Sequence, residues 1–222
     1  TNGSVLDITN VDVVFGECAG IVFTNGAMLR SNNSVYRPCY VDGTWKGLRF
    51  VGKGEFDNII NECTFKNAEV ALYFQELADG VISSNLFSNC NYGIRIEGNN
   101  SFNHPISGNR FVTEQFFPSY NCLYKYSFIN NSSTYGIYST SSRFLQQVSQ
   151  NEFVNTWGNA LPRTNGIYQV SGGGVFSNNT FTDLSYSIYL GSAQFSTIIE
   201  NNEIEINEFV HSSQAPIYIA SS

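Results

Sequence analysis

Asn85-Leu86-Phe87-Ser88-Asn89, followed by Tyr92-Gly93-Ile94-Arg95-Ile96, is the stretch on which the fold is decided. The same N-x-F cadence returns at Asn109/Phe111, Asn151/Phe153 and Asn179/Phe181, and in altered form at Asn202/Ile204, Cys63/Phe65, Cys39/Val41 and Asp12/Val14. A second apolar strand follows each anchor. The offset is seven residues from Val14 to Ile21, Val41 to Leu48, Phe65 to Leu72, Phe87 to Ile94 and Phe181 to Ile188. Other copies stretch to nine (Phe128 to Ile137), fourteen (Phe153 to Ile167) and thirteen (Ile204 to Ile217). Insertions between strands of constant length are what loops on one side of a solenoid look like. A third apolar pair precedes the anchors at Ile59-Ile60, Val81-Ile82, Val175-Phe176 and Ile198-Ile199.

Three short strands in every ~21–30 residues describe one turn of a parallel β-helix. A leucine-rich repeat would need an L-x-x-L-x-L ladder and a propeller blade four strands; neither pattern is present. Inward Phe and Ile should stack on their counterparts about 4.8 Å away in neighbouring coils. Asn at a turn tolerates left-handed dihedrals and can bond to the Asn above it. The expectation is an all-β chain: a single right-handed parallel β-helix over residues 1–222, with eight or nine coils and a length of roughly 40 Å. Phe111 and Phe128 are too close for a full coil and turn, so an irregular loop is expected near 112–127, around Glu114-Gln115-Phe116-Phe117-Pro118. The chain opens in mid-pattern at Thr1, as expected of a piece of a longer protein.

Composition narrows the partners. The net charge is −7 with only 11 Lys and Arg in 222 residues. No basic stripe is there to release counterions from nucleic acid or to seek an anionic membrane. No apolar run is long enough for a transmembrane helix. The 27 Asn residues, with abundant Gly, Phe and Tyr, suit tight turns between short strands. The five cysteines lack C-x-x-C spacing, which leaves zinc and thioredoxin-like sites unsupported and favours buried free thiols. Cys39 and Cys63 each precede Leu48 and Leu72 by nine residues, so they are expected as a stacked, inward pair of thiols. A bridge between them is geometrically allowed.

The N-x-F-x-N and G-I-x-I rhythm resembles the right-handed parallel β-helix proteins, the pectin-lyase-like group, over nearly the whole chain. Cys18-Ala19-Gly20-Ile21-Val22-Phe23 and Gly43-Thr44-Trp45-Lys46-Gly47-Leu48-Arg49-Phe50 resemble segments of bacterial secreted surface proteins, often long multidomain chains with a C-terminal sorting domain. The resemblance implies an extracellular or cell-surface location. Enzymes of the group would imply clustered Asp residues holding calcium beside a catalytic Arg or Lys, or paired Asp residues with a His and an R-I-K motif. Arg95-Ile96-Glu97 comes nearest to that motif, with Glu in place of Lys. The six Asp residues (7, 12, 42, 57, 79 and 183) do not fall in matching positions of adjacent coils.

Other chemistry is equally thin. The outward row Thr64, Leu86, Arg110, Ser127, Glu152, Thr180, Glu203 puts two acids about 9.6 Å apart, near an inverting geometry, but nothing marks either as an acid catalyst. They read as solvated surface carboxylates. His104 and His211 fall in loops of different coils, and Ser171-Gly172-Gly173-Gly174 lacks the Lys and helix of a phosphate loop, reading as a flexible turn. No catalytic residue, metal site or cofactor is expected.

One outward feature stands apart. If Leu72, Ile94, Ile137, Ile167, Ile188 and Ile217 point inward, alternation turns Tyr73, Arg95, Tyr138, Tyr168, Tyr189 and Tyr218 outward, with Arg49 earlier. Tyr suits sugar rings or a protein partner, although stacked rings also simply shield a sheet face. The functional expectation is a non-catalytic surface module, structural or adhesive, with polysaccharide or surface glycan along this stripe. The alternatives are a polysaccharide lyase or glycoside hydrolase, and a phage tail-fibre or spike segment. The last strand, Ala215 to Ala220, has no capping helix after it, so further domains or subunits are expected at the open ends.

Overall fold

Every coil turns one corner on a residue in the left-handed region. Down the stack these are Asn10 (φ 57°), Asn33 (47°), Glu62 (53°), Ser84 (58°), Gly108 (66°), Gln150 (57°), Asn178 (55°) and Asn201 (52°). Asn and Gly adopt this conformation at little cost, whereas Glu and Gln do so against their preference. The computed structural model describes residues 3–41, 43–54, 57–98, 101–114, 133–140, 142–156, 163–193, 196–206 and 216–220.

After that corner comes the anchor sheet, eight parallel strands: Asp12–Phe15, Val35–Pro38, Thr64–Lys66, Leu86–Ser88, Arg110–Thr113, Glu152–Asn155, Thr180–Thr182 and Glu203–Glu205. The tyrosine-bearing sheet follows, with Gly20–Phe23, Gly47–Val51, Val70–Gln75, Tyr92–Glu97, Ser133–Thr140, Tyr186–Ala193 and Ile217–Ala220. Before the corner lies the third sheet, including Val5–Thr9, Met28–Asn32, Asn58–Asn61, Gly80–Ser83, Ile106–Ser107, Ser142–Ser149 and Ile198–Glu200. The long strand Arg163–Ser177 serves both of the latter, so they join into one 16-stranded sheet. Ser171-Gly172-Gly173-Gly174 is therefore no turn. It carries that strand around a corner, with Gly172 at φ 134° and a Cβ on Gly174 only 2.8 Å from Phe144 Cβ.

The core is a set of vertical files. Phe65, Phe87, Phe111, Phe153 and Phe181 stack at ring-centroid spacings of 5.1, 4.7, 4.7 and 4.9 Å, close to the strand spacing. Ile60, Ile82, Ile106, Val148 and Phe176 fill the third sheet, and Leu48, Leu72, Ile94, Ile137, Ile167 and Ile188 the tyrosine-bearing sheet; all are buried.

Beside the left-handed corner, Asn85, Asn109, Asn151, Asn179 and Asn202 form the ladder. The Nδ2 of each of the first four donates to the next Oδ1 at 2.9–3.0 Å, and all five donate to a backbone carbonyl of the preceding coil. Left-handed backbone and ladder thus belong to two adjacent positions, not to one Asn. The ladder residue sits immediately before the anchor strand, and the residue before it makes the bend.

Four expectations need correction. The first two anchors are Val13 and Tyr36, which pair with each other and then with Phe65; Val14 and Val41 are exposed. Apolar residues one and five places away mimicked the seven-residue offset. Cys63 accordingly shares its phase with Ser34, not with exposed Cys39, so the thiol pair does not form. Cys18 is disulfide-bonded, while Cys39, Cys63 and Cys90 are free, the latter two buried. Finally, Phe111 pairs directly with Phe153, and Ile137 with Ile94 and Ile167, so the anchor strands of Phe111 and Phe153 are immediate neighbours in the sheet. Ile137 belongs to the coil of Phe111, with the insertion lying between the two in sequence. Of the expected loop, Val112 and Thr113 are strand; residues 115–127 lie outside the described residues, as do Phe128, Asp42 and His211.

Candidate functional site

The tyrosine-bearing sheet brings the expected outward residues into one unbroken file. Backbone pairing runs Val22, Arg49, Tyr73, Arg95, Tyr138, Tyr168, Tyr189, Tyr218. Strand alternation turns Arg49, Tyr73, Arg95, Tyr138, Tyr168 and Tyr189 away from the core, because the residue before each belongs to the buried Leu and Ile file and the residue after each is buried as well. Tyr138 and Tyr168 stack at 5.7 Å, Tyr168 and Tyr189 at 4.1 Å, Tyr189 and Tyr218 at 4.9 Å, all within 10° of parallel. The rings therefore cover one another's faces, and their edges and hydroxyls line the sheet surface.

At the other end arginine replaces every second ring. The Arg95 guanidinium lies 4.9 Å from the Tyr73 centroid and 5.8 Å from that of Tyr138, and Arg49 lies 5.7 Å from Tyr73. Cation and ring alternate at the same spacing as ring on ring, each contact contributing about 0.5–1 kcal/mol at an exposed site. Polar residues two places on fasten this end. Arg49 Nε donates to Gln75 Oε1 at 2.6 Å, Gln75 Nε2 donates to the Tyr73 oxygen at 2.6 Å, the Tyr73 hydroxyl donates to Glu97, and Arg95 Nε donates to Glu97 at 2.9 Å. Burial, reinforced by the Glu97 bond, pushes the Tyr73 phenol up to about 12.

A second column escaped the sequence reading. Tyr92, Tyr135 and Tyr186 stand three residues before the first file, in register with Asn165. Tyr92 and Tyr135 stack at 5.0 Å, and each column-two ring meets the first file edge-on, Tyr92 with Tyr138 at 5.4 Å, Tyr135 with Tyr168 at 5.2 Å, Tyr186 with Tyr218 at 6.0 Å. The signal was present as Tyr-Gly-Ile at 92–94 and 135–137. The small residue matters. A Cβ on Gly93, Gly136 or Gly166 would lie 2.5–2.7 Å from the rings of Phe111, Phe153 or Phe181, so glycine lets the anchor file pass close beneath the corner.

Elsewhere the candidate groups are engaged. In the anchor sheet Glu152 pairs with Arg110 at 2.9 Å, with Thr180 between it and Glu203 in the register, while Ser127 is outside the described residues. Asp12 holds Arg37 at 2.7 Å, and His104 Nε2 sits 3.1 Å from Asp57. Asp79 caps the Gly80 amide and accepts from Asn103 at 2.7 Å. Arg95 of the near R-I-K triplet is the stacked cation of the tyrosine file. No group of three or more metal-ligating side chains occurs among the described residues, and no helix among them is long and apolar enough to cross a membrane.

No curated protein and no solved structure matched the chain. Among protein families, the one described as "Right handed beta helix region" matches residues 1–181. The chain belongs to the right-handed beta helix family.

Proposed function

We propose that this chain is a non-catalytic module of an extracellular or cell-surface protein, and that it contacts carbohydrate along the tyrosine file. The observation that carries the reading is the in-register row of Arg49, Tyr73, Arg95, Tyr138, Tyr168, Tyr189 and Tyr218. A stiff array needs no ordering on binding, so little entropy is lost when a ligand lies along it. Because the ring faces are mutually covered, contact runs through hydroxyls, ring edges and the guanidinium groups. Phenol and guanidinium donors at a constant spacing suit a polymer rich in hydroxyls. The Cys18 disulfide fits an oxidising compartment.

The test is a polysaccharide panel scored for both binding and product release. It compares wild type with the triple substitution Tyr138→Phe/Tyr168→Phe/Tyr189→Phe, which removes hydroxyls while leaving the ring stack. Binding that weakens about tenfold or more in the variant, without product, supports the proposal; tenfold corresponds to about 1.4 kcal/mol, or one to two lost hydrogen bonds. Product release would assign the chain to the polysaccharide lyases or glycoside hydrolases instead. Absence of binding across the panel would reduce the file to a shield for the sheet.

A further inference from the structure

Glu69 stands at the corner before strand Val70–Gln75, close to the arginine end of the tyrosine file. It is 8% exposed, and neither carboxyl oxygen has a hydrogen-bond partner. Its backbone is tied on both sides, its amide to the Trp45 carbonyl at 2.8 Å and its carbonyl to the Tyr92 amide at 3.0 Å, so the side chain cannot swing out with the chain. Two cations act on it, Lys46 from the segment entering Gly47–Val51 and Arg95 from Tyr92–Glu97. Burial outweighs both and pushes the carboxyl up to about 7. Around Arg95 stand Glu97, which accepts its Nε bond, and the rings of Tyr73, Tyr92 and Tyr138, whose centroids lie 4.9, 5.1 and 5.8 Å from the guanidinium carbon. The buried Tyr92 phenol is pushed up to about 12 and does not ionise near neutrality.

An ionised carboxylate without hydrogen bonds is expensive to bury, and a neutral one much less so. We propose that Glu69 is a proton-operated switch for Arg95. With Glu69 neutral, Arg95 is held by Glu97 over Tyr73 and Tyr92. When Glu69 loses its proton to solvent, the new negative charge draws the guanidinium from Glu97 toward the corner, and Glu97 is left facing the sheet surface. The file then changes from a paired to an anionic end as pH rises through neutrality. The switch concerns the position of Arg95 and does not require that the file bind carbohydrate.

The linkage has a definite sign. The native carboxyl holds its proton to higher pH than the unfolded one, so the native state binds more protons between about 4.5 and 7. Stability contributed by the neutral form is complete below that window and falls as pH rises through it. The test is a titration from about pH 4 to 9, reading carboxyl carbon resonances and the Arg95 Nε resonance in wild type and in Glu69→Gln. The expected result is a Glu69 midpoint near 7, an Arg95 resonance that moves with the same midpoint, and an Arg95 resonance in the variant fixed at its acidic position. A Glu69 midpoint in the ordinary carboxylate range, or an Arg95 resonance indifferent to Glu69 ionisation, overturns the proposal. The wild-type titration alone decides both points if the variant does not fold.

Discussion

Replacing Asn151 by Ala is expected to cost more than removing most core methyl groups, although it removes only a polar side chain. Asn151 is 1% exposed. Its Oδ1 accepts from the Asn109 amide and from Asn109 Nδ2, both at 3.0 Å, and its Nδ2 donates to the Ile106 carbonyl at 2.9 Å and to Asn179 Oδ1 at 3.0 Å. Four hydrogen bonds are lost together, and the buried Asn109 amide loses its acceptor. At about 1 kcal/mol per bond the four bonds contribute about 4 kcal/mol, and the stranded buried donor adds about 1–3 kcal/mol, for an expected loss of about 5–7 kcal/mol. Asn151→Asp should do no better, since a carboxylate turns an acceptor toward the Ile106 carbonyl where a donor is needed. The assay is urea unfolding followed by far-ultraviolet circular dichroism, with tyrosine fluorescence as a second probe because solenoids can unfold in parts. Asn202→Ala is the internal control. It ends the ladder with three such bonds instead of four and should cost less. A loss for Asn151→Ala below about 1 kcal/mol would mean that water replaces the side chain freely, and the ladder would then be a consequence of coil stacking and not a support for it.

Three further outcomes follow from the same geometry. Gln150→Gly should stabilise the protein by about 0.5–1 kcal/mol in the same unfolding assay, because φ 57° strains a Gln and Gly108 already occupies the equivalent corner. Phe153→Ala should cost about 3–5 kcal/mol, since it opens a cavity between rings stacked 4.7 and 4.9 Å away; a melt within 1–2 °C of wild type would refute the continuous file. Gly136→Ala should destabilise by about 1–3 kcal/mol through overpacking, as its Cβ would fall 2.5 Å from the Phe153 ring, whereas Ala at Gly52, which has open space but φ 82°, should cost only about 1–2 kcal/mol of backbone strain.

The solenoid shows how a repeat can be legible while its phase is not. The coils of Phe65, Phe87, Phe111, Phe153 and Phe181 could be aligned by eye because an aromatic recurs at one position in each. The first two coils could not. Val13 and Tyr36 hold the anchor position there, yet Val14 and Val41 stand seven residues before the next inward residue and look equally suitable. Which side chain faces the core there depends on the partner in the next coil, Tyr36 for Val13 and Phe65 for Tyr36, each more than 20 residues away along the chain. The long insertion posed the opposite difficulty. Phe128 carries the same cadence in the sequence, yet Phe111 pairs directly with Phe153, so the next anchor after Phe111 is 42 residues along the chain.

For the tyrosine file, alternation was enough to predict a single outward column, since a strand's two faces follow from its backbone alone. Orientation within the column was not predictable. Whether rings lie flat toward solvent or stack on one another depends on the rings above and below, and here they stack within 10° of parallel. Glu69 illustrates the same limit from the other side. In the sequence it is one of the acids of a chain with net charge −7; only the packing of Trp45, Lys46 and the Tyr92 strand around it removes its oxygens from water. The sequence by itself determined the class of fold, the existence of the inward files and the face on which the tyrosines stand, because these follow from local periodicity. The tertiary structure alone decided the phase of the first coils, the stacking of the rings, the second tyrosine column's contacts and the isolation of Glu69, because each is settled by a neighbouring coil some 4.8 Å away in space and a full repeat away along the chain.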